Sequence, residues 1–171
     1  MPLSLISPYL VQAVVIAEDD KFWSHKGFDF KAIKEAFQRN IKKKTLRYGG
    51  STISQQLIKN LYLSPSRNPV RKVREFILTW RLERTLSKKR ILELYLNVVE
   101  WGNGIFGAET AAQRYYGKPA SALSAWDSVH LAIILPSPRR YNPLSGSKFI
   151  ERRAREVYEI MMKRGIVKPE E

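Results

Sequence analysis

Apolar residues recur at three- and four-residue spacing along nearly the whole chain, and no alternating run exceeds four residues. That periodicity restricts the fold to a mainly α-helical one. Leu10, Val11, Val14, Val15 and Ala17 predict a first helix ending near Glu18-Asp19. Phe30, Ile33, Phe37 and Ile41 form a second stripe, with Lys31, Lys34, Arg39, Lys42, Lys43 and Lys44 at its margins, and Gly49-Gly50 breaks it. Thr52-Ile53-Ser54-Gln55 has the pattern of a capping box, so a third helix opens at Thr52 and stops before Ser64-Pro65, with Pro69 following. Val73, Phe76, Ile77 and Trp80 are expected as the core stripe of a fourth helix. Ser87 can cap a fifth, from Lys88 to near Val99. Gly102, Gly104 and Gly107 mark a loop, and Ala108 to Tyr116 form a short helix ended by Gly117. A strongly apolar helix from near Ala122 to Leu135 stops at Pro136. Pro138, Asn142 and Pro143 then keep the chain extended, and a last helix runs from near Lys148 to Arg164.

With 171 residues, the chain suits a single domain spanning 1–171. Lysine and arginine total 30 against 16 acids, a formal charge of +14. Such an excess implies a polyanionic partner: nucleic acid, an anionic membrane surface, or a phosphorylated substrate. The absence of cysteine excludes disulfides, thiolate metal sites and a cysteine nucleophile. No run of about eighteen apolar residues occurs, so no membrane span is encoded. The opening residues lack the basic segment and long apolar stretch of a signal peptide.

Four segments carry candidate chemistry. Glu18, Asp19 and Asp20 close an apolar helix at its C-terminal end, where the dipole disfavours negative charge and tends to poise a carboxylate as a base. The alternative is a solvated acidic turn, with His25 as an ordinary loop residue. In Gly49-Gly50-Ser51-Thr52-Ile53-Ser54-Gln55-Gln56-Leu57-Ile58-Lys59, the glycines lead into a helix N-terminus that suits an anion. Lys59 lies two turns in and Arg67 follows the helix, both within reach of phosphate oxygens, while Gln55 and Gln56 suit sugar hydroxyls and amides. A capped surface helix would look similar. Arg71-Lys72-x-x-Glu75 is either a helical ion-pair cluster or a second functional carboxylate among cations. Glu93 and Asn97 stack one turn apart before the glycines, and Ala108, Ala111 and Ala112 suggest close helix packing, so most of that block reads as architecture. Glu100 and Asn103 can line a sugar groove.

In this order the segments resemble the peptidoglycan glycosyltransferases, or biosynthetic transglycosylases. The matching stretches are Glu18-Asp19-x-x-Phe22-x-x-His25-x-Gly27-x-Asp29, Gly50-Ser51-Thr52-Ile53-Ser54-Gln55-Gln56, Arg71-Lys72-x-x-Glu75, and Glu93-x-x-x-Asn97 through Gly107. Ala111-Ala112-x-x-Tyr115-Tyr116-Gly117-Lys118 and Leu135-Pro136-x-Pro138 continue the pattern. The resemblance implies a lysozyme-like, two-lobed helical domain with a central cleft, either of the monofunctional type or from a class A penicillin-binding protein. It implies lipid II and the growing glycan strand as substrates, at the extracytoplasmic (periplasmic) face of the bacterial cytoplasmic membrane, with an anchor outside this chain. By the same resemblance Glu18 is the general base and Glu75 assists the leaving side, directly or with a divalent cation (Mg or Mn). Lys59 and Arg67 match diphosphate-binding cations, and Ser51, Gln55 and Gln56 match sugar and phosphate contacts. Asp19, Phe22 and His25 of the first motif are expected at the substrate. An anionic membrane surface and other cell-wall synthesis or division proteins are the implied partners; nucleic acid is not.

The basic amphipathic stretch from Phe30 to Lys44 fits a surface lying on anionic lipid, or an ordinary solvated helix. Two rival functions remain. A lysozyme-like peptidoglycan hydrolase or lytic enzyme would need no diphosphate cradle, so Lys59 and Arg67 discriminate against it. A basic nucleic-acid binder would gather its cations on a recognition helix with few acids nearby, whereas here they flank carboxylates and glutamines.

Overall fold

The protein is described by a computed structural model covering residues 1–42, 50–63 and 68–168. Among these residues eight α-helices occur: α1 (Pro8–Glu18), α2 (Phe30–Lys42), α3 (Ile53–Tyr62), α4 (Pro69–Thr85), α5 (Lys88–Val98), α6 (Ala108–Tyr116), α7 (Ala125–Ile134) and α8 (Lys148–Lys163). The mainly helical class expected from the periodicity is the class found. Lys43, Lys44, Gly49, Ser64, Pro65 and Arg67 lie outside the described residues. No helix among the described residues is long and apolar enough to cross a membrane.

The chain divides into two compact units, Met1–Asp20 with Glu93–Glu171, and Lys21–Leu92. In the first, α1 packs mainly on α7, and α8 packs on both. α1 buries Leu10, Ala13, Val14, Val15 and Ile16, and α7 buries every residue from Ser128 to Ile134. Helices covered on nearly all sides make the centre of a core. α8 is the outer layer, burying Ile150, Ala154, Val157 and Met161 at helical spacing. Each larger side chain there contributes about 1.5–3 kcal/mol of burial.

Three boundaries differ from the sequence expectation. The glycine-marked segment after α5 is a short antiparallel hairpin, β1 (Glu100–Gly102) with β2 (Ile105–Phe106). A Cβ at Gly107 would stand 2.8 Å from the Asn97 carbonyl oxygen, so the block around Asn97 is tightly packed architecture. α7 starts later than Ala122, because Ala120–Ala122 forms a 3₁₀ turn and Ser124 with Asp127 makes a complete capping box. The stretch after Pro136 is a series of turns rather than extended chain: Ser137 N–H donates to the Ile134 carbonyl, and Arg140 N–H to that of Ser137.

In the second unit α3 packs on α4. Thr52 caps α3 as expected, its hydroxyl accepting from Gln55 N–H while Gln55 Oε1 accepts from Thr52 N–H. Asp29 caps α2, taking Ala32 N–H at 2.9 Å. That hydrogen bond, with Lys21 nearby, holds its carboxyl below the usual value against the opposing effect of burial. α4 requires a correction. Val73, Phe76, Ile77 and Trp80 are not a core stripe: they are 59%, 49%, 46% and 48% exposed, and the helix buries Glu75 and Thr79 instead. The first turn of α3 presents the polar side chains of Ser54 and Gln55 to its neighbour, and buried polar groups demand partners. α4 therefore turns in the stripe Arg71, Glu75, Thr79 and Glu83, spaced at four residues, and leaves its apolar face outside.

Candidate active site

Each acid at the end of α1 has a different environment. Asp20 makes a two-pronged ion pair with Arg164, at 2.6 and 2.9 Å. Asp19, the C-cap, is buried, and its N–H donates to the Val15 carbonyl at 2.9 Å. Glu18, the last residue of α1, is half-buried. Tyr95 of α5 is fully buried in the same unit, and its phenol is pushed well above the ordinary value by burial and then by the Glu18 and Asp19 charges. The acidic turn is therefore not uniform: Asp20 is exposed in its ion pair with Arg164, and the charges of Glu18 and Asp19 reach a buried phenol.

The remaining described candidates belong to the second unit. Glu75 is 2% exposed and is the focus of a cationic cluster. Arg71 Nη1 donates to its Oε2 at 2.9 Å, Lys72 Nζ to its Oε1 at 2.5 Å, and Gln55 Nε2 reaches Oε1 at 3.4 Å. The four-residue spacing of Arg71 and Glu75 makes this an ordinary helical pair in origin. Burial converts it into a fixed carboxylate, since a desolvated charge must keep its partners. Ser51 and Lys59 are exposed and Gln56 is half-buried, so all three are accessible to a ligand.

Two of the expected substrate contacts are buried. Gln55 is 4% exposed, with its oxygen committed to the helix cap and its amide to Glu75. Its amide links the cap of α3 to the Glu75 carboxylate. Phe22 is fully buried, edge-on to Trp23 and lying under the Lys88 ammonium at 4.4 Å, because a phenyl ring in this loop gains more from packing than from solvent. His25 is half-buried, and its Nδ1 accepts Gly27 N–H at 3.0 Å. The structure thus joins Gln55, Glu75 and the first turn of α3, and places Glu18 and Asp19 in the other unit. Arg67 is outside the described residues.

The transglycosylase family profile matches residues 1–162. The chain belongs to the transglycosylase family. Among relatives of this chain, the biosynthetic peptidoglycan transglycosylase of Nitrosospira multiformis is 50% identical over 157 residues, covering 92% of this chain and 68% of the relative. Those of Azoarcus and Thiobacillus denitrificans are 55% identical over 148 residues and 52% over 153, covering 86% and 90% of this chain and 64% and 66% of each relative. The chain thus spans roughly two thirds of the length of the curated relatives it matches. The family match carries the lysozyme-like helical class that the motifs implied.

The described residues of this chain present no ready protein-only cluster for a divalent cation. No three His, Cys, Asp or Glu side chains among them converge in a way that could hold a metal ion. Both Glu75 oxygens already receive cationic or amide donors, whereas Mg or Mn demands oxygens directed at the ion.

The sequence reading gave no polar role to Ser54, Glu83 or Lys88, which meet at the Glu83 carboxylate. The signal for Glu83 was present, since Arg71, Glu75, Thr79 and Glu83 repeat at strict four-residue spacing. The neighbouring apolar stripe on α4 masked it.

Proposed function

We propose that this chain is a peptidoglycan glycosyltransferase domain that polymerises lipid II into β-1,4-linked glycan. The family match over residues 1–162, with relatives named as biosynthetic, carries this reading. Glu18 takes the proton of the acceptor's GlcNAc 4-hydroxyl while that oxygen attacks the donor's anomeric carbon. The bond from that carbon to the diphosphate breaks, its electron pair leaves with undecaprenyl diphosphate, and the configuration inverts. An alcohol is a weak nucleophile, so a positioned carboxylate contributes about 10²–10⁴-fold. Negative charge develops on the departing diphosphate, where fixed cations act most strongly. Lys59 and Arg67 serve there, and Glu75 with its Arg71 and Lys72 partners assists the leaving side.

The inverted face of α4 adds support for a membrane-proximal setting. Phe30, Phe37 and Ile41 on α2 are also largely exposed. Apolar stripes on a chain of charge +14 suit a surface lying on anionic lipid at the extracytoplasmic face, where the substrate's prenyl tail resides.

The hydrolase alternative is separated by substrate choice. The chain is expected to form polymer from lipid-linked precursor and to leave soluble glycan intact; clearing of soluble glycan with no polymer would favour hydrolysis. Lys59→Ala is expected to raise KM for the lipid-linked donor about tenfold, the worth of one charge-assisted hydrogen bond. Unchanged kinetics at limiting substrate would remove Lys59 from the diphosphate site.

A further inference from the structure

A second polar circuit runs through the same unit, apart from the contacts of Glu75. Glu83 of α4, with a side chain only 7% exposed, accepts from the buried Ser54 hydroxyl of α3 and, at 2.8 Å, from the Lys88 ammonium of α5. That ammonium also lies 3.4 Å from His25 Nδ1 and 4.4 Å over the Phe22 ring. Nδ1 receives Gly27 N–H at 3.0 Å, and the Thr52 hydroxyl donates to the Gly27 carbonyl at 2.7 Å. The loop lies hard against α4: with φ at +91°, Gly27 has room for no side chain, and a Cβ would stand 3.0 Å from Glu83 Cγ and 3.1 Å from Thr79 Cγ2.

Ion pairs this buried add little to stability, because desolvation offsets their attraction. What this one supplies is geometry. A single carboxylate oxygen, Glu83 Oε1, receives both Ser54 and Lys88 and so ties α3, α4 and α5 together. Ser54 is next in sequence to Gln55, so α4 grips one turn of α3 at two adjacent residues through Glu83 and Glu75. A neutral imidazole whose Nδ1 accepts a backbone N–H carries its proton on Nε2.

We propose that Lys88, held by Glu83, is a positioning residue for the transfer: it fixes the Phe22–Gly27 loop, with His25 in its Nε2–H form, on the first turn of α3. The proposal rests on the glycosyltransferase reading and deepens it, because this loop continues directly from Glu18 and Asp19 in sequence.

The test combines kinetics with ¹⁵N NMR of the imidazoles. The chain has 2 histidines, and His130, whose Nδ1 faces the Trp126 carbonyl oxygen at 2.9 Å and whose Nε2 faces Glu151 Oε1 at 3.2 Å, is an internal reference for a ring held between two acceptors. Lys88→Arg keeps the charge beside Glu83 but replaces a compact ammonium by a planar fork. It is expected to keep the melting temperature and the KM, to lower kcat about 10–100-fold through misplacement, and to give His25 a mixture of tautomers. Glu83→Gln/Lys88→Met removes both charges together, so no carboxylate is stranded, and is expected to behave likewise. Wild-type kcat with an unaltered His25 signal in either folded variant would overturn the proposal. Lack of polymer from the wild-type chain, with the His25 signal still shifting in the variants, would sink the glycosyltransferase reading instead.

Discussion

Glu18→Gln is expected to fold as the wild type does and to polymerise about 10²–10⁴-fold more slowly. The substitution is isosteric, and it leaves unchanged the residues that α1 buries: Leu10, Ala13, Val14, Val15 and Ile16. Asp20 keeps its ion pair with Arg164, so the end of the helix stays fixed. What is lost is the ability to accept a proton, which an amide lacks. The variant therefore separates chemistry from architecture. Its melting temperature should match the wild type while product formation falls; substantial remaining activity would remove Glu18 as the base and move attention to Asp19.

Glu75→Gln should show the opposite mixture, with activity and stability failing together. The carboxylate is 2% exposed and receives Arg71, Lys72 and Gln55. Neutralising it leaves the partly buried Arg71 without its counter-charge, at a cost of about 2–3 kcal/mol. Lys72 is half exposed, so water compensates most of its share. Turnover is expected to fall about 100-fold, the effect of removing one fixed electrostatic partner from a developing charge. Denaturant midpoints and turnover measured on one preparation check both halves. Wild-type turnover in a destabilised variant would reduce Glu75 to a structural ion pair.

How far these outcomes were legible beforehand depends on the element. The start of α3 followed from Thr52 and Gln55, and the end of α6 from Gly117, because caps are local chemistry written in a few adjacent residues. The end of α1 at Glu18 was equally legible. The orientation of α4 was not. Periodicity reveals that Val73, Phe76, Ile77 and Trp80 share a face, but the side that turns inward is decided by what the neighbouring helix needs, and α3 offers Ser54 and Gln55. The same limit hid the partners of Gln55: its position in the capping box commits its oxygen and leaves the amide for Glu75. The burial of Phe22 beneath Lys88 could not be read from its motif either. The late start of α7 was recoverable from Ser124 and Asp127, a capping pattern overlooked within an apolar run.

Labelled lipid II incubated with the wild-type chain and with Glu18→Gln, followed by gel separation of the products, bears most directly on the whole account. A ladder of glycan chains from the wild type, absent from the equally folded variant, is the predicted result. Equal ladders from both proteins, or soluble fragments in place of polymer, would contradict it.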